Sequence, residues 1–558
     1  MYRNTSSSSN YDNIVQTSVS TMGSEPPQNT QGYELEESAV EQQSRGNLNY
    51  PQGRSLWLIS ASLGVMMFMV TFEIPVVATS VVAITDDLGG VDDRSWFLTS
   101  YLLGYVAIIV VSSKLSDIYG RRPLYAACIL LFLISSAACS ASQTTNQLIV
   151  FRAFQGLGGG GSYSLGTIIT TELVPKTQYT AATARLSICV SLGLLLGPII
   201  GGAISANTTW RWIFIINVPV AAICLAFVLV GMPRDFPFQG QESYDLRLSH
   251  TSAKSTVGRL DIVGAILLLF AVTLLTAGFE EAGSLFPWDS AYVITLLVIS
   301  ALSWVLLIIW ERRVTLKNSI LEPILPWRFF TQRSIGGILL CLMCLGGPFV
   351  ISVYQLPQRF QVVNGLTGLE AGVRLIPFTL SSPVGTGVAA SVAGRLKISP
   401  IYIILAGALL QVVGFALLRT LPITTELLPR TYGFEIIAGF GCGMNLALLF
   451  VVIPGVVEAR DQAVAMGAAS QFRMMGSAIT AAIATSVYNG YTQPRLGNVG
   501  LESEASLGQP VHLTAGSDEI IKEVYAGGYN KQMIVLAAFA AAQVPAAILL
   551  WRRPQIKA

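Results

Sequence analysis

After Arg54 the chain becomes a succession of apolar runs. Each is close to the ~20 residues that a helix needs to cross ~30 Å of hydrocarbon. Fourteen runs can be read, at about 56–78, 95–113, 124–141, 148–171, 187–205, 212–232 and 260–278, then 291–310, 334–355, 369–393, 400–418, 431–453, 463–488 and 532–551. A backbone crossing lipid must satisfy its own hydrogen bonds, so each run is expected to be a helix. A membrane β-barrel would show ten-residue alternating segments, and the sequence has none. The pattern predicts an all-α membrane protein.

Composition agrees. Only 12% of the residues are charged, about half the usual share of a soluble domain. The net charge of +2 supplies no polycation for nucleic acid, and no basic stripe with interleaved aromatics is present. The seven cysteines lie inside apolar runs and read as small hydrophobes. Cys341 and Cys344 have redox-motif spacing but no βαβ context. His250 and His512 fall in polar loops, so no zinc set can be built and no cofactor is expected.

Residues 1–54 are polar, without apolar periodicity, and read as a disordered tail. They hold no charged segment followed by an apolar core, so a cleaved leader is not expected. Basic residues set the orientation. With the tail in the cytoplasm, inner loops and the C-terminus carry 20 Lys and Arg, and outer loops carry 8. Asp86, Asp87, Asp92 and Asp93 are outside in this arrangement. Residues 233–259 form a polar inner linker, and 489–531 a long outer loop. Asn207-Thr-Thr is an outer sequon, a candidate for glycosylation.

Gly156, Gly158 and Gly161 fit a nucleotide-binding spacing, G-x-G-x-x-G. A phosphate site needs a preceding strand and an exposed helix start. Here the glycines sit in the middle of an apolar run. At helical spacing Arg152, Gln155, Gly156, Gly159, Gly160 and Tyr163 share one face. That face combines a cation with no bulk, which suits close helix packing in lipid. Gly193, Gly197 and Gly201 form a second smooth ridge, with Pro198 beside it and Gly202 following.

Four stretches together resemble the major facilitator superfamily, in particular its fourteen-helix drug:proton antiporter branch in fungi. They are "KLSDIYGRRP" (114–123), "RAFQGLGGGG" (152–161), "GLLLGPIIGG" (193–202) and "WRWIFIINVP" (210–219). Ser113 stands where the family usually has glycine, and Glu73 where its first helix commonly has aspartate. The C-terminal half keeps only a remnant loop motif at 394–399, without an acid.

The resemblance implies two six-helix bundles, 55–232 and 334–551. Two extra helices (260–310) and an inner loop (311–333) lie between them, and 552–558 is a short inner tail. It implies alternating access at a mid-membrane site. The expected activity is proton-coupled export of amphipathic organic molecules such as drugs, toxins or secondary metabolites, by a monomer in the plasma membrane. A vacuolar membrane, uptake of amino acids or siderophores, and a transport-silent receptor are the alternatives. No nucleophile–base pair or metal set points to an enzyme.

Ionisable groups inside a membrane are functional candidates. Glu73 is expected to exchange the proton, with Arg152 tuning it. A static ion pair that only fixes packing is the alternative. Gln155, Tyr163, Asn445, Arg374 and Glu435 are candidates for the substrate path, and Gln471 and Arg473 are further polar groups. Each of the C-half groups has an equally plain packing role, with Glu435 and Arg374 near the outer helix ends. Asp117, Gly120, Arg121 and Arg122 sit at the inner mouth, as a gate holding the halves together or as topology signals. Met66, Met67, Phe68, Tyr101 and Tyr354 offer an adaptable lining. Asp261 is expected to cap a helix.

Overall fold

The computed structural model describes residues 50–88, 96–175, 178–234, 236–237, 261–283, 286–317, 321–396, 398–422, 428–458, 461–497 and 517–552. Most of the expected tail, nearly all of the inner linker, Asp92 and Asp93, and both histidines lie outside these residues.

The N-terminal bundle contains α1 (Gly53–Ala78), the short α2 (Val81–Leu88), α3 (Trp96–Tyr119), α4 (Arg121–Ser140), α5 (Thr145–Glu172), α6 (Tyr179–Asn207), α7 (Trp212–Ile215) and α8 (Asn217–Gly231). A hairpin follows, α9 (Ile262–Glu281) and α10 (Ala291–Leu316). After the short α11 (Arg328–Thr331) the second bundle contains α12 (Arg333–Val362), α13 (Gly368–Arg374), α14 (Ile376–Arg395), α15 (Pro400–Leu418), α16 (Arg430–Val456), α17 (Gln462–Gly497) and α18 (Ser517–Ile548). No strand occurs among the described residues, only one isolated bridge between Ala282 and Phe286. Among the described residues twelve helical segments are long and apolar enough to cross a membrane, α7 with α8 and α13 with α14 each counting as one. The glycine-rich α5 and the alanine- and serine-rich α17 are as long as the others but less apolar.

Local chemistry explains the breaks. Gly120 joins α3 to α4 with φ +93°, a conformation open to glycine and costly for other residues. The sixth apolar run divides at Ile216, just before Pro219, which lacks the amide that would continue the ladder. Asp261 caps α9, accepting from the Gly264 amide at 2.8 Å, as its position predicted. The expected outer loop 489–531 is shorter than the sequence suggests, because α17 continues to Gly497 and α18 starts at Ser517. Tyrosines support these extensions: the Tyr488 ring lies 5.1 Å from that of Tyr529 and stacks on Tyr525 at 6.3 Å.

The glycine stretches are packing surfaces. A Cβ at Gly156 or Gly160 would collide with the backbone of α3 at Tyr101 and Tyr105, and one at Gly158 with α4 at Phe132. Gly193, Gly197 and Gly201 seat α6 against α1 at Phe68, Pro75 and Val76, whereas Gly202 faces open space. Such close approach replaces the hydrophobic driving force that lipid removes. No phosphate cradle exists here.

The α9–α10 hairpin packs on α3 of one bundle and α17 of the other. Its outer end is fastened to α17 by Trp288 Nε1 donating to Ser486 Oγ at 2.7 Å and by Asn489 donating to the Gly283 carbonyl at 2.7 Å. Its other faces expose Phe270, Val298, Leu302 and Val305, the surface that lipid covers.

Candidate functional site

Inside the N-terminal bundle, Glu73 and Arg152 meet. Arg152 Nη1 donates to Glu73 Oε1 at 2.5 Å and to Gln155 Oε1 at 2.9 Å, and its Nε donates to the Phe97 carbonyl at 2.9 Å. Asn217 Nδ2 donates to the second Glu73 oxygen at 2.7 Å. Gln155 passes the network on to Ser136 at 2.9 Å. The guanidinium lies 4.4 Å from the centre of the Tyr101 ring and 5.7 Å from that of Phe214. Glu73, Arg152, Gln155 and Asn217 are all 0% exposed. Six helices, α1, α3, α4, α5, α7 and α8, contribute to this network, and the glycines of α5 set the approach of α3 and α4.

Between the bundles lies a cavity walled by residues of both. Met67, Phe349, Leu446, Phe450 and Met466 give it apolar walls, and Thr167, Thr170, Thr171, Thr183 and Ser187 give it hydroxyls. Tyr163 and Arg473 face it from opposite bundles, with Arg473 Nη2 donating to the Tyr163 hydroxyl at 2.8 Å.

Of the five residues expected on the substrate path, Tyr163 alone lines this cavity. Gln155 belongs to the Glu73–Arg152 network. Asn445 is buried in the second bundle, where its amide donates to Gln543 Oε1 at 2.8 Å and Gln543 in turn donates to Gln411 Oε1 at 2.8 Å. Amides in an apolar interior pair with one another, which draws Asn445 away from the cavity. Glu435 is fully buried on α16, apart from the cavity lining, and is not solvated as a place near the helix end suggests. Arg374 is exposed and donates to the Tyr432 hydroxyl. Among the expected lining residues, Met67 lines the cavity, Met66 is buried, and Tyr101 packs on Arg152.

At the end expected to face inward, Arg121 pairs with Asp117 at 2.6 Å and with Glu172 at 2.7 Å. Arg122 donates to the Leu229 carbonyl at 2.6 Å. All of these contacts stay within the N-terminal bundle. The pair that reaches beyond the bundle is Lys114–Glu322, at 2.6 Å, and Glu322 lies on the segment leading into the second bundle. Glu172, Glu322, Asn217 and Gln543 were not singled out in the sequence. Asn217 and Gln543 were legible as amides in apolar runs, but Glu172 and Glu322 sit at helix ends and loops where acids are ordinary.

At the opposite end, expected to face outward, Asp87 accepts from Trp210 Nε1 at 2.9 Å and from Arg211 at 2.6 Å. Asn207 is exposed at the last turn of α6, its amide donating to the Ala203 carbonyl at 2.9 Å. No group of His, Cys, Asp and Glu that could hold a metal occurs among the described residues.

Known proteins with this organisation are transporters. A sequence model described as Major Facilitator Superfamily matches residues 61–481. The MFS-type transporter FPY5 of Fusarium mangiferae is 34% identical over 91% of this chain and 86% of its own length. The rubrofusarin-specific efflux pump aurT of Gibberella zeae is 26% identical over 80% of this chain and 79% of its own length. The human organic anion transporter MFSD10 (TETRAN) has the same fold, with a TM-score of 0.54 at 16% identity, covering 90% of this chain and 100% of its own. The chain belongs to the Major Facilitator Superfamily and is a multi-pass membrane transporter.

Proposed function

We propose that the protein is a proton-coupled exporter of amphipathic small organic molecules, working as a monomer in the plasma membrane. Its fourteen spans would be the twelve apolar helices together with α5 and α17, whose glycine and alanine faces are buried against neighbours. Efflux pumps among its relatives support the direction of transport.

The observation that carries the coupling is the sealed Glu73–Arg152 pair. A carboxylate and a guanidinium removed from water hold together only while both are charged and in contact. Protonation of Glu73 cancels one charge and releases Arg152 to its other acceptors, the Phe97 carbonyl and Gln155. The pair therefore has two arrangements, which differ by one proton and can bias the packing of α1, α3, α5 and α8. Cargo binding in the cavity next to α1 and α5 would select between them.

The test is efflux of an amphipathic dye from proteoliposomes under an imposed pH gradient. Glu73→Gln is expected to remove the response to the gradient while dye counterflow without a gradient persists. An unchanged response, or wild-type efflux driven by ATP or sodium with no pH gradient, would overturn the reading.

A further inference from the structure

We infer that Arg473 selects an anionic cargo, an amphipathic organic acid carrying hydroxyl groups, and that the cavity is built against cations. The inference rests on the transporter reading of the cavity and names the chemistry it takes.

Arg473 is 5% exposed and reaches the cavity from the middle of α17. Among the described residues it forms no ion pair. Its protein contacts at the head group are the Tyr163 hydroxyl at 2.8 Å and the Tyr163 ring, 5.5 Å from the guanidinium carbon, and its Nε has no partner. A buried cation left without a counter-charge is costly. The buried Arg152, by contrast, has Glu73. An anion entering the cavity would give Arg473 what the protein does not.

The rest of the lining points the same way. None of the residues that form the cavity is acidic. Its five smaller hydroxyl groups each donate to a carbonyl of their own helix: Thr167 to Ser164, Thr170 to Gly166, Thr171 to Ile168, Thr183 to Tyr179 and Ser187 to Thr183. Their remaining capacity is to accept, which suits hydroxyl donors on the ligand. Nitrogen donors come from Arg473 alone. A second hollow shares Thr170 and Leu186 with the cavity, also has no acidic residue, and carries the exposed Arg185. A cation on this approach attracts anions toward the site. Met67, Phe349, Phe450 and Met466 then cover an aromatic or aliphatic body.

The test is binding of 6-hydroxy-2-naphthoate and of its methyl ester to the purified full-length protein, followed by calorimetry. The wild type is expected to bind the carboxylate about 10–100-fold more tightly than the ester, the worth of a charge-assisted hydrogen bond. Arg473→Gln should bring that ratio to near one while the ester affinity is kept, and Arg473→Lys should preserve part of it. Tyr163→Phe keeps the cation and should keep the preference, which provides a readout if Arg473→Gln does not fold. Equal binding of the two probes by the wild type, an equal loss of both in Arg473→Gln, or loss of the preference in Tyr163→Phe would overturn the inference. The readout needs no gradient. Selective binding without pH-driven transport would count against the exporter reading alone, and coupled transport without selectivity against this inference alone.

Discussion

Arg473 of α17 donates to the hydroxyl of Tyr163 on α5, at 2.8 Å, and so joins the two bundles through a polar contact in the wall of the cavity. Alternating access requires the bundles to rock about such a site. A link of this kind has to be weak enough to break in each cycle. One neutral acceptor meets that need better than a carboxylate would.

Removing that acceptor should loosen the closed arrangement without disturbing either bundle. Tyr163→Phe is expected to cost about 0.5–1.5 kcal/mol, the net worth of a hydrogen bond. The measurement is the thermal midpoint of the detergent-purified protein, which should fall slightly while expression stays at the wild-type level. A large loss of folded protein would show that the hydroxyl has a wider structural role.

The inner pair Lys114–Glu322 should hold the inner side closed. The lysine is nearly buried and the glutamate is partly exposed, with side-chain exposures of 6% and 29%, so solvent screens the pair. Glu322→Gln is therefore expected to shift the inward-open population by about fivefold or less, the equivalent of ~1 kcal/mol. The rate at which an impermeant maleimide added to the inner side labels Thr183→Cys, in a background lacking Cys189, reports that shift. No change in rate would remove the pair from the gate.

Packing on the α6 ridge gives a prediction with its own control. Gly197→Leu pushes a side chain into Pro75 and the Phe72 carbonyl of α1, and overpacking of this kind costs about 1–3 kcal/mol. Gly202→Ala enters open space and should be neutral. Size-exclusion profiles and thermal midpoints of the two variants should separate clearly. Equal behaviour would mean that α6 and α1 are not locked in this register.

The outer contact of Asp87 yields a pH dependence. Hydrogen bonds from Arg211 and then Trp210 hold its carboxyl below the usual carboxylate range. Its stabilising contribution is therefore complete above the unfolded value of about 3.9 and is lost as the pH falls through the lower, folded value. Acidifying the outside to pH 5 should leave this contact intact. Thermal midpoints of wild type and Asp87→Asn should run parallel from pH 7 to pH 5 and converge only below about pH 4. Convergence already at pH 6 would contradict the assignment.

Sequence patterning carried the helices and one of the two buried centres. Arg152 and Glu73 stand out because a charge inside an apolar run has few explanations. Their meeting, and the absence of a phosphate site at the neighbouring glycines, follows from the helical face that Gly156 and Gly160 share with Arg152. The cavity was much less legible. Asn445, Gln155 and Glu435 have the same polar character as Tyr163 and Arg473, and only the rotation of each helix decides which of them meets the space between the bundles. The fourteen runs share so even an apolar character all round that periodicity gives little sign of that rotation. The inner cluster misled for another reason. Asp117 and Arg121 are four residues apart across the Gly120 turn, and Glu172 lies at the far end of α5, so these groups close on one another, while Lys114 of the same motif is the one that reaches Glu322.

The enclosure of Glu73 and Arg152 also bears on what the protein does when no cargo is present. Neither compartment's water touches the pair, and Tyr101, Phe214 and Asn217 fill the space around it. In this arrangement the carboxylate presents no exposed surface through which a hydrogen ion could pass to either side. If Glu73 carries the coupling proton, an idle carrier of this design insulates: it would leave the membrane voltage undischarged, and current would flow only when a turnover opens the seal.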